Sequence, residues 1–200
     1  MATVIVGLGN PGGEYAKTRH NAGRMAVEAF AKSEGFGEFV PRKAANASVV
    51  EGSLDGEKVQ LVLPEVFMNQ SGKGAAPFVK SVKAAKNLLV VRDDLDLPIG
   101  VVKMTVHGRG SGGHKGVESI MRALKTKDFA QLKIGISGAT AKGGVKKPAG
   151  EEKVVTHVIG KFKPAEEPAL KKAFKKASVA IAYFITDGIE KAMLEANTRQ

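Results

Sequence analysis

The sequence predicts an α/β fold, a single-domain three-layer sandwich with a mixed, mostly parallel sheet flanked by helices. Three observations carry the prediction. The apolar runs 3–8 and 88–91, suited to buried strands, and a further strand at 132–136 alternate with stretches of helical period. A length of 200 residues suits one domain with a full core. No internal repeat or linker divides the chain, so residues 1–200 read as one unit.

The elements follow in order. Residues 3–8 are apolar on both faces, as in a buried parallel strand. Residues 20–34 form a helix whose stripe is Ala22, Met25, Ala26, Ala29 and Phe30, stopped at Gly35. Residues 47–53 and 57–63 form a hairpin around Asp55-Gly56, and Pro64 ends its second strand. A helix over 70–84 buries Ala75, Phe78, Val79 and Val82. Leu88–Val91 is a strand that stops at Arg92-Asp93-Asp94, and residues 101–106 are another.

After the glycine-rich stretch 108–116, Val117, Ile120, Met121 and Leu124 mark a helix, and Leu132–Ile136 a further strand. Residues 138–153, with Lys142, Lys146 and Lys147 among glycines and prolines, read as a mobile basic loop. Val154–Ile159 reads as a last strand. Two helices close the chain, one over 165–186 and a shorter one after Gly188.

Composition narrows the function. A net charge of +11 points to a polyanionic partner, because positive surface charge favours and speeds encounters with phosphates. With no cysteine, disulfides, thiolate metal sites and cysteine nucleophiles are excluded. There is no apolar run of ~20 residues and no signal peptide, so a cytoplasmic, membrane-independent protein is expected. Lysine far exceeds arginine and tryptophan is absent, which suits phosphate contact better than base stacking.

Ligands of open α/β sheets bind beyond the carboxyl ends of the strands. Asn10, Asn69 and Asp93 follow three predicted strands and His20 opens a helix, so parallel strands would gather all four on one rim. A neutral His20 takes a proton from water as it attacks a carbonyl, and Asp93 holds the ring and stabilises the imidazolium. The two asparagines grip amide or ester groups or a developing oxyanion.

Competing motifs are weaker. Gly7-Leu8-Gly9-Asn10-Pro11-Gly12 matches the dinucleotide fingerprint, but Pro11-Gly12-Gly13 delays the helix and the acidic partner falls in a helix. Neither a Walker loop nor a nucleophile elbow is present. His20, His107, His114 and His157 lack zinc-type spacing, so neither metal nor cofactor is expected and water is the nucleophile.

Four segments, in order and in register, resemble the bacterial-type peptidyl-tRNA hydrolases. They are Val6–Gly12 with Thr18-Arg19-His20-Asn21-Ala22-Gly23; Phe67-Met68-Asn69 with Ser71-Gly72-Lys73; Asp93–Pro98 with Gly100; and Gly112-Gly113-His114 with Gly116. The resemblance implies hydrolysis of the ester joining a peptide to the 3′ end of tRNA, by a monomer without a cofactor. It implies His20 as the base, Asp93 as its stabiliser and Asn10 as the discriminator of peptidyl from aminoacyl esters. Tyr15, Phe67, Met68, Asn69, Gly113 and the position of Lys115 match the substrate end, whereas Lys103 and Lys133 match positions associated with tRNA phosphate, on the 5′ side of the acceptor.

The chain departs from the family pattern where Gly113-His114-Lys115-Gly116 replaces the usual Gly-His-Asn-Gly, exchanging an amide for a cation. Lys133 also stands where arginine is common. Two other classes are carried as alternatives: an RNA-binding protein that kept the scaffold and lost catalysis, and a nucleotide-dependent enzyme.

Overall fold

In a computed structural model that describes residues 2–140 and 144–198, eight strands build one sheet and six α-helices cover its faces. The strands are β1 (Thr3–Gly7), β2 (Val40–Arg42), β3 (Ala47–Leu54), β4 (Glu57–Pro64), β5 (Leu88–Pro98), β6 (Val102–Thr105), β7 (Ala130–Ala139) and β8 (Val145–Lys146). The helices are α1 (Ala22–Ser33), α2 (Ser71–Ala75), α3 (Lys115–Leu124), α4 (Glu151–Ile159), α5 (Glu167–Thr186) and α6 (Ile189–Asn197).

The order across the sheet is β2-β3-β4-β1-β5-β7-β6, and β8 pairs with β7. The centre, β4-β1-β5-β7, is parallel, and antiparallel strands finish both sides. Alternation along β1 and β5 sends Ile5, Leu89 and Val91 into the layer with α1, α5 and α6, and Val4, Val6, Leu88 and Val90 into the layer with α3. Phe30 anchors the first core and Phe129 the second, each fully buried and each contributing about 1.5–3 kcal/mol.

Most predicted elements stand. The β3–β4 hairpin turns on Asp55 and Gly56 with φ of 49° and 85°, the paired positive values that a type I′ turn needs. Helix α1 starts at Ala22, after a 3₁₀ turn at Arg19–Asn21 that carries His20.

Four expectations fail. The helix predicted over 70–84 is only α2, followed by 3₁₀ turns at Ala76–Phe78 and Lys83–Asn87, because Pro77 cannot continue the hydrogen-bond ladder. Strand β5 does not stop at Val91 but runs on to Pro98, since Arg92, Asp93 and Asp94 are buried with partners. The segment predicted as the strand Val154–Ile159 is helix α4. Glu151 and Glu152 occupy its first turn, where the helix dipole favours negative charge, and Val154 and Val158 share a face. The basic stretch 138–153 is not a loop throughout: β8 pairs with β7, Lys147 reaches Asp96 at 2.6 Å and α4 begins at Glu151. Lys142 lies outside the described residues.

Candidate active site

Two adjacent central strands and the elements after them bring the key groups together. Gly23, in the first turn of α1, packs against β5 so closely that a Cβ there would meet the Val91 carbonyl oxygen. A side chain at residue 23 would push α1, and His20 before it, off the strand that carries Asp93. His114 arrives from the other layer as the residue preceding α3.

At the meeting point, His20 Nδ1 lies 3.0 and 3.1 Å from the two Asp93 carboxylate oxygens. His114 Nε2 lies 2.9 Å from Asp93 Oδ1. The tautomers follow from the partners. His114 Nδ1 accepts from the backbone N–H of Gly116 (3.2 Å) and Val117 (3.4 Å), so its proton sits on Nε2 and is donated to Asp93. His20 donates from Nδ1 to the same carboxylate, which leaves Nε2 as its lone-pair nitrogen, without a protein partner among the described residues.

Electrostatics agrees with this assignment. Burial works against a charged Asp93, but the charges and hydrogen bonds of the two imidazoles outweigh it and hold the carboxyl well below the usual carboxylate range. Burial pushes His114 down, and Asp93 does not overcome it, so His114 stays neutral. Burial also works against protonated His20, and the positive charge of Lys115 adds to that. The charge of Asp93 and its hydrogen bond prevail, and His20 ends above its ordinary value.

His20, Asp93 and His114 line a cavity of about 220 Å³, together with Lys115, Val155 and Ile159. The last two belong to α4, which forms an apolar wall facing the polar cluster. The His20, Asp93 and His114 ligand atoms lie within 4.8 Å of one another, the one set with metal-binding composition among the described residues. Spacing along the sequence missed this set because its two histidines are 94 positions apart. Each imidazole here is turned with a proton toward the carboxylate, an arrangement in which the three groups satisfy one another; an ion would have to displace both hydrogen bonds.

The other sequence-predicted residues separate into groups. Asn10 lies outside the cavity, in a polar hollow with Asn21 and Arg24. It is tied to the His20 turn all the same: its backbone N–H donates to Asn21 Oδ1 (2.8 Å) and its carbonyl accepts from Asn21 Nδ2 (2.9 Å). Its side-chain oxygen accepts from Met68 N at 2.8 Å, leaving the amide NH₂ as a free donor. The Met68 side chain is buried in the core, so its visible part is to fix Asn10.

Tyr15 and Phe67 stand edge to face at 6.3 Å, with Phe67 55% exposed. Asn69 is exposed beside them on the chain, and does not join the cluster as the single-rim expectation required. Gly113 is exposed with φ of 80°, in the turn that delivers His114. Lys103 and Lys133 face each other directly across β6 and β7, and Lys133 also approaches Asp94 at 3.6 Å. The sequence reading missed His114 as a functional group; its signal was the glycine-flanked histidine immediately before an amphipathic helix.

The family model for peptidyl-tRNA hydrolase matches residues 4–200. The chain belongs to the peptidyl-tRNA hydrolase family. Among curated members it is 38% identical to the peptidyl-tRNA hydrolase of Halalkalibacterium halodurans, over 90% of this chain and 92% of that one. It is 36% identical to that of a Hydrogenobaculum species, over 100% and 99%. Among solved structures, the peptidyl-tRNA hydrolase of Acinetobacter baumannii superposes with a TM-score of 0.87 at 32% identity, covering 100% of this chain and 96% of that chain. The fold and its family thus agree with the reading from motifs.

Proposed function

We propose that this chain hydrolyses the ester between a peptide and tRNA, with His20 as the general base. The observation that carries the reading is the orientation of His20: Nδ1 bound to a buried carboxylate, Nε2 free at a cavity. Water held at Nε2 gives up a proton as its oxygen bonds to the ester carbonyl, whose π electrons move onto oxygen. Collapse of the tetrahedral intermediate expels the ribose oxygen, which takes the proton back from His20. Asp93 stabilises the imidazolium between these steps, and neutral His114 keeps Asp93 aimed and ionised.

Asn10 offers its free NH₂ to the peptide side of the ester, and the Tyr15–Phe67 pair with Asn69 meets the end of the tRNA. Like charges placed opposite one another on a sheet repel, so the Lys103–Lys133 pair is stabilised by an anion between them. A tRNA phosphate near the acceptor end is the natural occupant. No described helix is long and apolar enough to cross a membrane, and a monomer working in the cytoplasm fits the reading.

The test is to incubate the protein, in the presence of chelator, with an N-acetylated aminoacyl-tRNA and with its unblocked counterpart. Selective release of the blocked amino acid is expected. Binding of the RNA with no cleavage of either would instead favour a scaffold that has lost catalysis.

A further inference from the structure

The cavity beside His20 has an uneven charge distribution. Asp93, Asp94 and Asp96 line it, against two cations, Arg92 and Lys115. Arg92 is buried and committed: it lies 3.3 Å from Asp94, donates to the Asp93 carbonyl at 2.8 Å and reaches Gln131 at 3.3 Å. Lys133 and Lys147 approach from outside and are held by Asp94 and Asp96. Lys115 alone among these cations has no ion-pair partner among the described residues, and it is exposed at the mouth.

Its position is also costly locally. Lys115 is the first residue of α3, where the helix dipole already presents positive charge and a cation is unfavourable. Two backbone donors of that turn, those of Gly116 and Val117, are closed to an anion because His114 Nδ1 takes them. Exposed at the mouth of the cavity and without an ion-pair partner among the described residues, the Lys115 ammonium is free to meet a negative charge that arrives with the reaction.

Building on the hydrolase reading, we propose that Lys115 is a catalytic residue of this chain, whose ammonium meets the oxyanion formed when water adds to the ester carbonyl. The oxyanion is the one new negative charge of that step, and it forms within reach of His20 Nε2. Without Lys115 it would develop among carboxylates whose countercharges are already shared. The same ammonium acts on the base, since its charge opposes protonation of His20. The other charged groups of the cavity beside His20 are Asp93, Asp94, Asp96 and Arg92 from β5, and the titratable His114 is neutral. The wall from α4 presents Val154, Val155, Val158 and Ile159, and Arg19 on the turn of His20 itself is paired with Glu166.

The experiment compares Lys115→Met and Lys115→Arg with the unmodified chain, using N-acetylated aminoacyl-tRNA under single-turnover and steady-state conditions. His20 is titrated in parallel by NMR. Lys115→Met is expected to lower kcat about a hundredfold, the scale of losing one oxyanion partner, with little change in KM. The thermal midpoint should not fall, because the lysine is exposed and opposes the dipole. His20 should titrate at higher pH, carrying the acid limb of kcat/KM with it, and Lys115→Arg should restore both. Wild-type kcat in the Met variant would overturn the proposal. So would a loss confined to KM with a flatter salt dependence, which would make Lys115 a phosphate contact. If the unmodified chain releases nothing, the hydrolase reading fails instead.

Discussion

The two sides of the candidate catalytic cavity are built on opposite principles. On one side, His20, Asp93 and His114 come from three separate elements, are largely buried, and use one carboxylate to fix two rings. On the other, α4 presents Val155 and Ile159 with 43% and 48% of their surface open, and Lys147, ahead of the helix, pairs with Asp96. The Thr18–Lys161 bridge and the bond from Arg19 N to the Gly160 carbonyl hold one end beside the His20 turn. The contrast teaches where precision is needed. Proton transfer requires fixed geometry, whereas an apolar wall requires only its surface.

Substitutions on the fixed side should therefore cost most. His20→Ala removes the proposed base and is expected to slow single-turnover cleavage by about 10⁴-fold, with tRNA binding retained in a filter-binding assay. Asp93→Asn keeps the shape and removes the charge. A loss of about 10³-fold is expected, and the acid limb of kcat/KM should move to lower pH because His20 loses the group that raises it.

His114→Ala moves the limb the other way. With one donor fewer, the Asp93 carboxylate acts more strongly on His20, so the limb rises in pH while the rate falls about tenfold. The same change removes the cap on α3 and should cost about 1 kcal/mol of stability in urea denaturation. Opposite limb shifts in these two variants would sharpen the comparison, and parallel shifts would break it.

Effects on the open surfaces should be smaller. Lys103→Ala is expected to weaken tRNA binding a few-fold and to make the slope of log K against log salt shallower by about one. Ile159→Ala should change turnover by no more than about twofold, and stability by less than about 0.5 kcal/mol. A large loss there would mean that the apolar wall participates in the fixed geometry.

Legibility in the sequence followed the same divide. The parallel centre was readable because β1 and the start of β5 are apolar on both faces and Leu132, Ile134 and Ile136 alternate along β7, and the β3–β4 hairpin because Asp-Gly demands one turn type. His20 and Asp93 were readable because strand ends and helix starts of such sheets converge. Helix α4 was not: Val154, Val155, Val158 and Ile159 favour a strand locally, and only the seat over the cavity and the acidic first turn make the segment helical. The extension of β5 through Arg92-Asp93-Asp94 escaped for a related reason, since burial of three charges depends on partners far away in sequence. His114 was hidden because its function lies in a contact with Asp93, 21 positions earlier.

The sign of the pH dependence separates chemistry from folding. The raised His20 stabilises the fold while protonated, a contribution full below the ordinary histidine pKa and lost as pH rises through the raised value. Catalysis by the proposed base needs the neutral ring and gains over that same interval. The most direct measurement is the pH profile of single-turnover release from N-acetylated aminoacyl-tRNA, set beside the NMR titration of His20 in the same protein. The account predicts that cleavage rises with pH along the deprotonation curve of His20, above the ordinary histidine range. A rate that stays flat while His20 titrates would contradict it.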